Sequence, residues 1–359
     1  MRVLCLTPWW PAQPGDGGGS FVADQVAALR RLGLVVDVVV IDAQRRRPGC
    51  RHIWFRWLPR YLAHGAEAPV LALRLRSARL DVGAYDVVHC HGETIGAAML
   101  AAFPGAPVVV TVHGETTSPR VARSRGRRRQ LQGLADHARL VLVGSPLASA
   151  WRARGADPAV IANGFDSATF LPRPLPTGPP WRVVSVSNLT PSKGVDLTIA
   201  AVGRLVARGV PVELDVVGDG WEWRALHEQA DRLGLAAVVR FHGQQPREFV
   251  AEVLAAGHLF CLPSAPEALG VAYLEACGTG RPVIGCIGEG AADVVRDGVE
   301  GWLVEPGDAA GVTDAISDAL SDGPRLARMA TAAADRAHEH FPWSVNARRL
   351  VAVYHEVAR

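Results

Sequence analysis

Lys193 is the only lysine in a chain with 38 Lys and Arg residues. It stands in Ser187-Asn188-Leu189-Thr190-Pro191-Ser192-Lys193-Gly194, between a strand-like run at 181–186 and a helical pattern that begins at Val195. Such a junction presents unpaired N–H groups and the positive end of a helix dipole, and a compact ammonium there suits a phosphate. One leftover lysine on an exposed turn of an arginine-biased chain is the plain alternative. A second pattern is Ser264-Ala-Pro-Glu267-Ala-Leu269-Gly270-Val271-Ala-Tyr-Leu-Glu275. It has the layout of strand, loop and helix, with Glu267 in the loop and Glu275 about two turns into the helix. The two carboxylates flank a helix N-terminus whose free N–H groups can hold a phosphate. A ligand with hydroxyls at both ends and phosphate between them fits, which is the shape of a nucleotide sugar. From the pair alone, a first-turn carboxylate and a buried partner of an arginine serve equally well.

The elements that would position these groups come in two series. Short β-rich runs at 3–6, 35–41, 87–89, 108–112, 140–143 and 160–161 alternate with helical patterns, and a second series follows at 183–186, 212–217, 238–241, 259–262, 283–285 and 301–304. That order predicts parallel sheets with crossover helices. Five of the ten residues 171–180 are proline, which continues neither a helix nor a central strand and reads as a semi-rigid spacer. The expected division is therefore a first domain at 1–171, a linker at 172–180, a second domain at 181–340 and a terminal amphipathic helix at 341–359. Its Val345, Leu350, Val353, Tyr354 and Val357 share one side, which would pack back on the first domain. Ligands of such sheets bind outside the carboxyl ends of the strands, so the active site is expected in a cleft faced by both domains.

A chain of 359 residues with 49% hydrophobic and 20% charged residues is ample for two globular domains. Net charge +3 demands no nucleic-acid partner, although six arginines fall between Arg120 and Arg129. The six cysteines are scattered, with no CxxC pair and no secretory signal, so reduced thiols in the cytoplasm are expected. No stretch approaches a membrane span. No Asp-x-Asp occurs, and His89-Cys90-His91 supplies too few same-side ligands, so neither a metal site nor a cofactor is expected.

Taken together, these segments resemble the retaining glycosyltransferases of family 4, with the GT-B fold of two Rossmann-like doubly wound domains. The resemblance rests on Glu267-x7-Glu275 followed by Ala276-Cys277-Gly278-Thr279-Gly280-Arg281-Pro282-Val283. In order along nearly the whole chain it also includes Gly15-Asp-Gly17-Gly18-Gly19-Ser20, Val112-His113-Gly114, Ile161-Ala-Asn163-Gly164-Phe-Asp166, residues 189–194, Val217-Gly218-Asp219-Gly220, Phe241-His-Gly243 and Asp297-Gly-Val-Glu-Gly301. It implies catalytic roles for Lys193 at the diphosphate, Glu267 at sugar hydroxyls and His113 beside the transferred sugar. Glu275 would hold the ribose, backbone N–H groups around Leu269, Gly270 and Val271 would take a phosphate, and Gly17, Gly18, Asn188, Gly218 and Gly243 would line the donor. One departure is Asn188, where the family often carries an arginine; a neutral amide cannot repay phosphate charge as a guanidinium does. The implied mechanism is metal-independent same-face transfer of a hexose, the departing diphosphate oxygen helping to deprotonate the acceptor.

The acceptor would be a hydroxyl, lipid-linked or in a surface polysaccharide. Trp57 and Arg60, in a basic and aromatic segment, and Arg120 and Arg123, in the arginine run, are the candidate acceptor residues. Such segments suit a lipid diphosphate or peripheral attachment to the inner face of the plasma membrane, and a solvated loop over packing aromatics suits them equally. Rival readings are glycosylation of a small specialised metabolite, a silent nucleotide-sugar-binding module and a nicotinamide oxidoreductase. The last rests only on Gly15-x-Gly17-x-x-Ser20 with Asp37, a poor fingerprint because residues 7–14 separate it from the first strand.

Overall fold

A computed structural model of the protein describes residues 1–11, 19–42, 49–55, 67–114 and 124–358. It divides into two compact units, one of Met1–Asn163 with Trp343–Arg359 and the other Gly164–Pro342. In the first unit the chain runs through β1 (Arg2–Thr7), α1 (Ser20–Arg31), β2 (Val35–Asp42), β3 (Arg51–Trp54), α2 (Glu67–Ser77), β4 (Val87–His91), α3 (Glu93–Ala102), β5 (Val108–Val112), α4 (Arg125–His137), β6 (Arg139–Leu142), α5 (Ala148–Arg152) and β7 (Ala159–Val160). The strands form one sheet in the order β3-β2-β1-β4-β5-β6-β7, every pair parallel. A parallel sheet covered on both faces needs near-continuous apolar strands, and Val108–Val112 is buried throughout. β3 lies where the sequence suggested only a basic and aromatic segment.

The second unit contains β8 (Trp181–Val186), α6 (Val195–Ala207), β9 (Val212–Val217), α7 (Trp223–Arg232), β10 (Val239–Phe241), α8 (Arg247–Ala256), β11 (Leu259–Cys261), α9 (Val271–Gly278), β12 (Val283–Cys286), α10 (Ala291–Val294), β13 (Gly301–Val304), α11 (Ala309–Ser321) and α12 (Gly323–His340). Its sheet runs β10-β9-β8-β11-β12-β13, again parallel. These six strands fall on the six apolar runs of the second series. In both sheets the first strand has neighbours leaving in opposite directions, which opens a crevice at the carboxyl ends of β1 and β4 and another at those of β8 and β11.

The last helix, α13 (Trp343–Val357), belongs to the first unit. Leu350, Val353 and Tyr354 enter a core with Val3 and Cys5 of β1, Val22 and Val26 of α1, Val87 of β4 and Val109 of β5. Each such side chain contributes about 1.5–3 kcal/mol on burial. Asn346 adds direction: its Oδ1 accepts from Gln25 Nε2 at 3.0 Å and its Nδ2 donates to the Ala162 carbonyl at 2.7 Å.

The division between the units differs from the one expected at 172–180. The proline-rich segment lies inside the second unit. Prolines donate no N–H, but carbonyls of this stretch accept hydrogen bonds from a distant side chain. The fully buried Arg281 guanidinium donates to the carbonyls of Arg173 and Pro174 and, at 3.0, 2.6 and 3.0 Å, to those of Ala255, Gly257 and Thr279. Phe165 and Phe170 are buried as well, so the second unit starts at Gly164, well before the prolines.

Candidate functional site

The crevice of the second sheet brings together the loops that follow β8 and β11. Gly194 adopts φ 66°, and a Cβ there would sit 2.4 Å from the Pro263 carbonyl oxygen, so only glycine lets the two loops touch. Two hydrogen bonds stitch them: Ala265 N and Ser264 Oγ both donate to the Ser192 carbonyl, at 2.8 and 3.0 Å. Lys193 and Glu267, 74 residues apart in sequence, meet as a result, with Nζ to Oε2 at 2.5 Å.

Glu267 is held on every side. Its Oε2 accepts from Lys193 and, at 3.1 Å, from Ser264 Oγ, while its Oε1 accepts from Ala268 N at 3.1 Å. Its own N–H donates to Glu289 Oε2 at 2.6 Å. Its carbonyl accepts from Gly290 N at 3.0 Å, and a Cβ on Gly290 would stand 2.4 Å from the Leu269 backbone. These bonds fix the orientation of the carboxylate, whose oxygens can accept hydroxyl protons. Among the described residues the Lys193 ammonium makes one hydrogen bond, to Glu267, which leaves two of its three N–H donors for an anion.

Gly270 caps α9 in the left-handed region, with no side-chain capping bond at that end. A Cβ at Gly270 would meet the Tyr273 ring at 2.5 Å. Val271 and Ala272 thus begin, directly after the loop that carries Glu267, a helix whose leading N–H groups lack an intrahelical acceptor, the arrangement that binds phosphate. Leu269 is buried, so what it can offer a ligand is backbone. Glu275 is half-buried further along α9.

The remaining donor candidates of this unit lie in adjoining loops. Gly218, at φ 128°, donates its N–H to the Gly243 carbonyl at 2.8 Å, and a Cβ on it would stand 1.9 Å from the Ser187 carbonyl oxygen. Asn188 is exposed beside that contact. Two residues of the site escaped the sequence reading. Glu289 carries no motif of its own, and Ser264 was visible only as the start of the segment leading to Glu267.

In the first unit His113 follows β5 at the carboxyl edge of the sheet. Along β4, Val87, His89 and His91 alternate onto the same face, and along β5 so do Val109, Thr111 and His113. The row is apolar where α1 and α13 cover it and turns polar toward the strand ends. His91 Nδ1 lies 3.1 Å from His113 Nε2, and the two rings stack with an interplanar angle of 17°. His89 sits 2.7 Å from Thr111 Oγ1 and 2.8 Å from the Tyr354 hydroxyl of α13. Trp9 and Phe21 close on His113, each with centroids 5.1 Å away. Burial pushes His89 and His113 down to about 3, and His91 well below the ordinary range, so all three imidazoles are neutral at physiological pH.

Gly17, Gly18, Trp57, Arg60, Arg120 and Arg123 lie outside the described residues. Of the arginine run, Arg125, Arg128 and Arg129 are exposed on α4, while Arg127 is buried and donates to Thr94 Oγ1 at 2.9 Å. Among the described residues no group of three His, Cys, Asp or Glu side chains could hold a metal ion, and no helix is long and apolar enough to cross a membrane.

Residues 169–336 match the family described as "Glycosyl transferases group 1", and residues 15–169 match "Glycosyltransferase Family 4". The phosphatidyl-myo-inositol mannosyltransferase of Mycolicibacterium smegmatis is 30% identical over 100% of this chain and 94% of its own. A GDP-mannose-dependent alpha-(1-6)-phosphatidylinositol monomannoside mannosyltransferase of the same organism is 34% identical over 47% of this chain and 46% of its own. Among solved structures, sucrose-phosphate synthase from Thermosynechococcus elongatus superimposes with a TM-score of 0.82, covering 99% of each chain at 20% identity.

Proposed function

The chain belongs to glycosyltransferase family 4, with the GT-B fold, and from that premise we propose that it transfers a hexose from a nucleoside-diphosphate sugar to a hydroxyl of an inositol-lipid headgroup, with retention and without a metal. The observation that carries the donor half is the Lys193–Glu267 pair beside the N-terminus of α9. A diphosphate placed there meets two ammonium N–H donors and the leading N–H groups of the helix, while the sugar hydroxyls meet the anchored Glu267 carboxylate. Charge growing on the departing phosphate is then met by donors already in place, the preorganisation that typically dominates such catalysis. Glu275 would take the ribose hydroxyls, and His113 would stand beside the transferred sugar.

In the reaction the anomeric C–O bond to phosphate breaks and a C–O bond to the acceptor forms on the same face, with the acceptor proton passing to the departing phosphate oxygen. Lys193 and the helix dipole supply the positive charge that a divalent cation provides in other transferases. The relatives named above favour GDP-mannose as the first donor to test and phosphatidylinositol as the first acceptor. The exposed Arg125, Arg128 and Arg129 of α4 support an anionic headgroup and a membrane surface.

The deciding experiment incubates the purified protein with GDP-mannose and phosphatidylinositol vesicles, with and without EDTA. An α-linked mannolipid formed equally in both would meet every part of the proposal. Lys193→Ala and Glu267→Gln should each fold as the parent and lose about 100-fold in kcat. Unimpaired turnover in both variants would remove the assigned donor site. An inverted product or EDTA-sensitive turnover would remove the stereochemical or the metal-free part.

A further inference from the structure

We propose that His91 is a positioning residue that holds His113 with its proton on Nδ1, so that His113 meets the transferred sugar as a hydrogen-bond donor and not as a base. The substrate half of this inference rests on the reading of His113 as a donor-site residue given above.

Each ring has two polar atoms, Nδ1 and Nε2. A neutral imidazole carries one N–H and one lone pair. His91 is fully buried, and its Nε2 reaches no hydrogen-bond partner among the described residues. Its Nδ1 has one, His113 Nε2 at 3.1 Å. With the proton on Nε2, His91 would bury an orphaned N–H; with the proton on Nδ1, it buries only an idle lone pair. Orphaned buried donors are the rarer and costlier outcome. The proton of His91 therefore belongs on Nδ1, donated to His113, and His113 Nε2 must accept. A neutral ring that accepts through Nε2 carries its own proton on Nδ1.

Two consequences follow from the same geometry. Nε2 of His113 is taken up by His91, so any polar contact from His113 to a substrate goes through Nδ1. That atom is a donor, suited to a sugar oxygen and unable to remove the acceptor proton, which leaves deprotonation to the departing phosphate. The orientation is also built in. Thr111 pairs with His91 in the β4–β5 register, and Trp9 and Phe21 close on the His113 ring. The third histidine is occupied separately: His89 Nδ1 lies 2.8 Å from the buried Tyr354 hydroxyl and its Nε2 2.7 Å from Thr111 Oγ1.

The test uses the full chain labelled with 15N-histidine. A long-range proton–nitrogen spectrum at neutral pH should show His113 with a pyrrole-type Nδ1 and a pyridine-type Nε2. His91→Asp replaces the donor with an acceptor and should exchange the two signatures. Because a buried carboxylate can prevent folding, His91→Asn, whose amide nitrogen can occupy the Nδ1 position, and His91→Phe, which removes the bond, complete the set. His91→Phe should lower kcat about tenfold, the value of one hydrogen bond, with donor KM little changed, and His91→Asn should restore most of it. A wild-type His113 protonated on Nε2, or a tautomer unchanged in both His91→Asp and His91→Phe, would overturn the positioning role. Full activity of His113→Phe would instead overturn the placement of His113 beside the sugar, even where the tautomer stands as proposed.

Discussion

At the scale of single residues, candidate groups stood out in the sequence where a side-chain type was scarce or paired. A lone lysine before a helix and two glutamates around a helix start pointed to Lys193, Glu267 and Glu275, and the fold brings Lys193 and Glu267 to 2.5 Å. Glu289 and His91 were not legible as site residues, because their roles depend on a backbone N–H and a ring nitrogen that only the folded chain sets opposite them. Asn188 remains the informative departure. It is exposed on the loop that ends at Lys193, where a guanidinium could reach a diphosphate with a charge-assisted fork. Asn188→Arg should tighten GDP binding about tenfold and steepen its salt dependence, as read by calorimetry at two ionic strengths. An unchanged affinity would place the phosphates away from residue 188.

At the scale of elements, every strand but β3 was readable because buried parallel strands are apolar along most of their length, and their spacing left room for the crossover helices; β3, with Arg51 and His52, carries no such run. The proline-rich stretch misled for a physical reason. Its composition says stiff and extended, but not what donates to its carbonyls, and the donor is Arg281, about a hundred residues downstream. Loop contact is the second property invisible to composition. Gly194 and Gly209 both have positive φ, 66° and 77°, yet a Cβ on Gly194 would press the Pro263 carbonyl while one on Gly209 meets nothing within 4 Å. Gly209→Ala should cost about 1 kcal/mol of stability from backbone strain alone. Gly194→Ala should cost about 2–3 kcal/mol and also reduce kcat, since it parts the loops that carry Lys193 and Glu267. Thermal unfolding and initial rates of the two variants together check this, and equal behaviour would mean that the loop contact does not govern the site.

At the scale of the whole molecule, the buried histidines set an acid limit. The folded His89 binds a proton only near pH 3, whereas in the unfolded chain it does so near 6.5. Between those values the unfolded state holds the extra proton, so stability falls as pH drops from about 6.5 toward 3. For His89, which is 1% exposed, the slope approaches about 1.4 kcal/mol per pH unit. His89→Gln should remove about one proton's worth of slope from urea unfolding measured between pH 7 and 4. A parallel pH dependence in the variant would mean that the ring is protonated in the folded state.

The position of α13 has a consequence for synthesis. The first unit is written in two instalments, Met1–Asn163 and Trp343–Arg359, with the whole of the second unit between them. At a translation rate of about 5–20 residues per second, the ribosome spends about 10–35 s on that interval. Throughout it the nascent first unit exposes the apolar groove of Val3, Val22, Val26, Val87 and Val109 that Leu350, Val353 and Tyr354 will fill. The second unit, contiguous in sequence, can close before its elder sibling. A nascent chain halted before Trp343 is therefore the form that holdase chaperones should meet first.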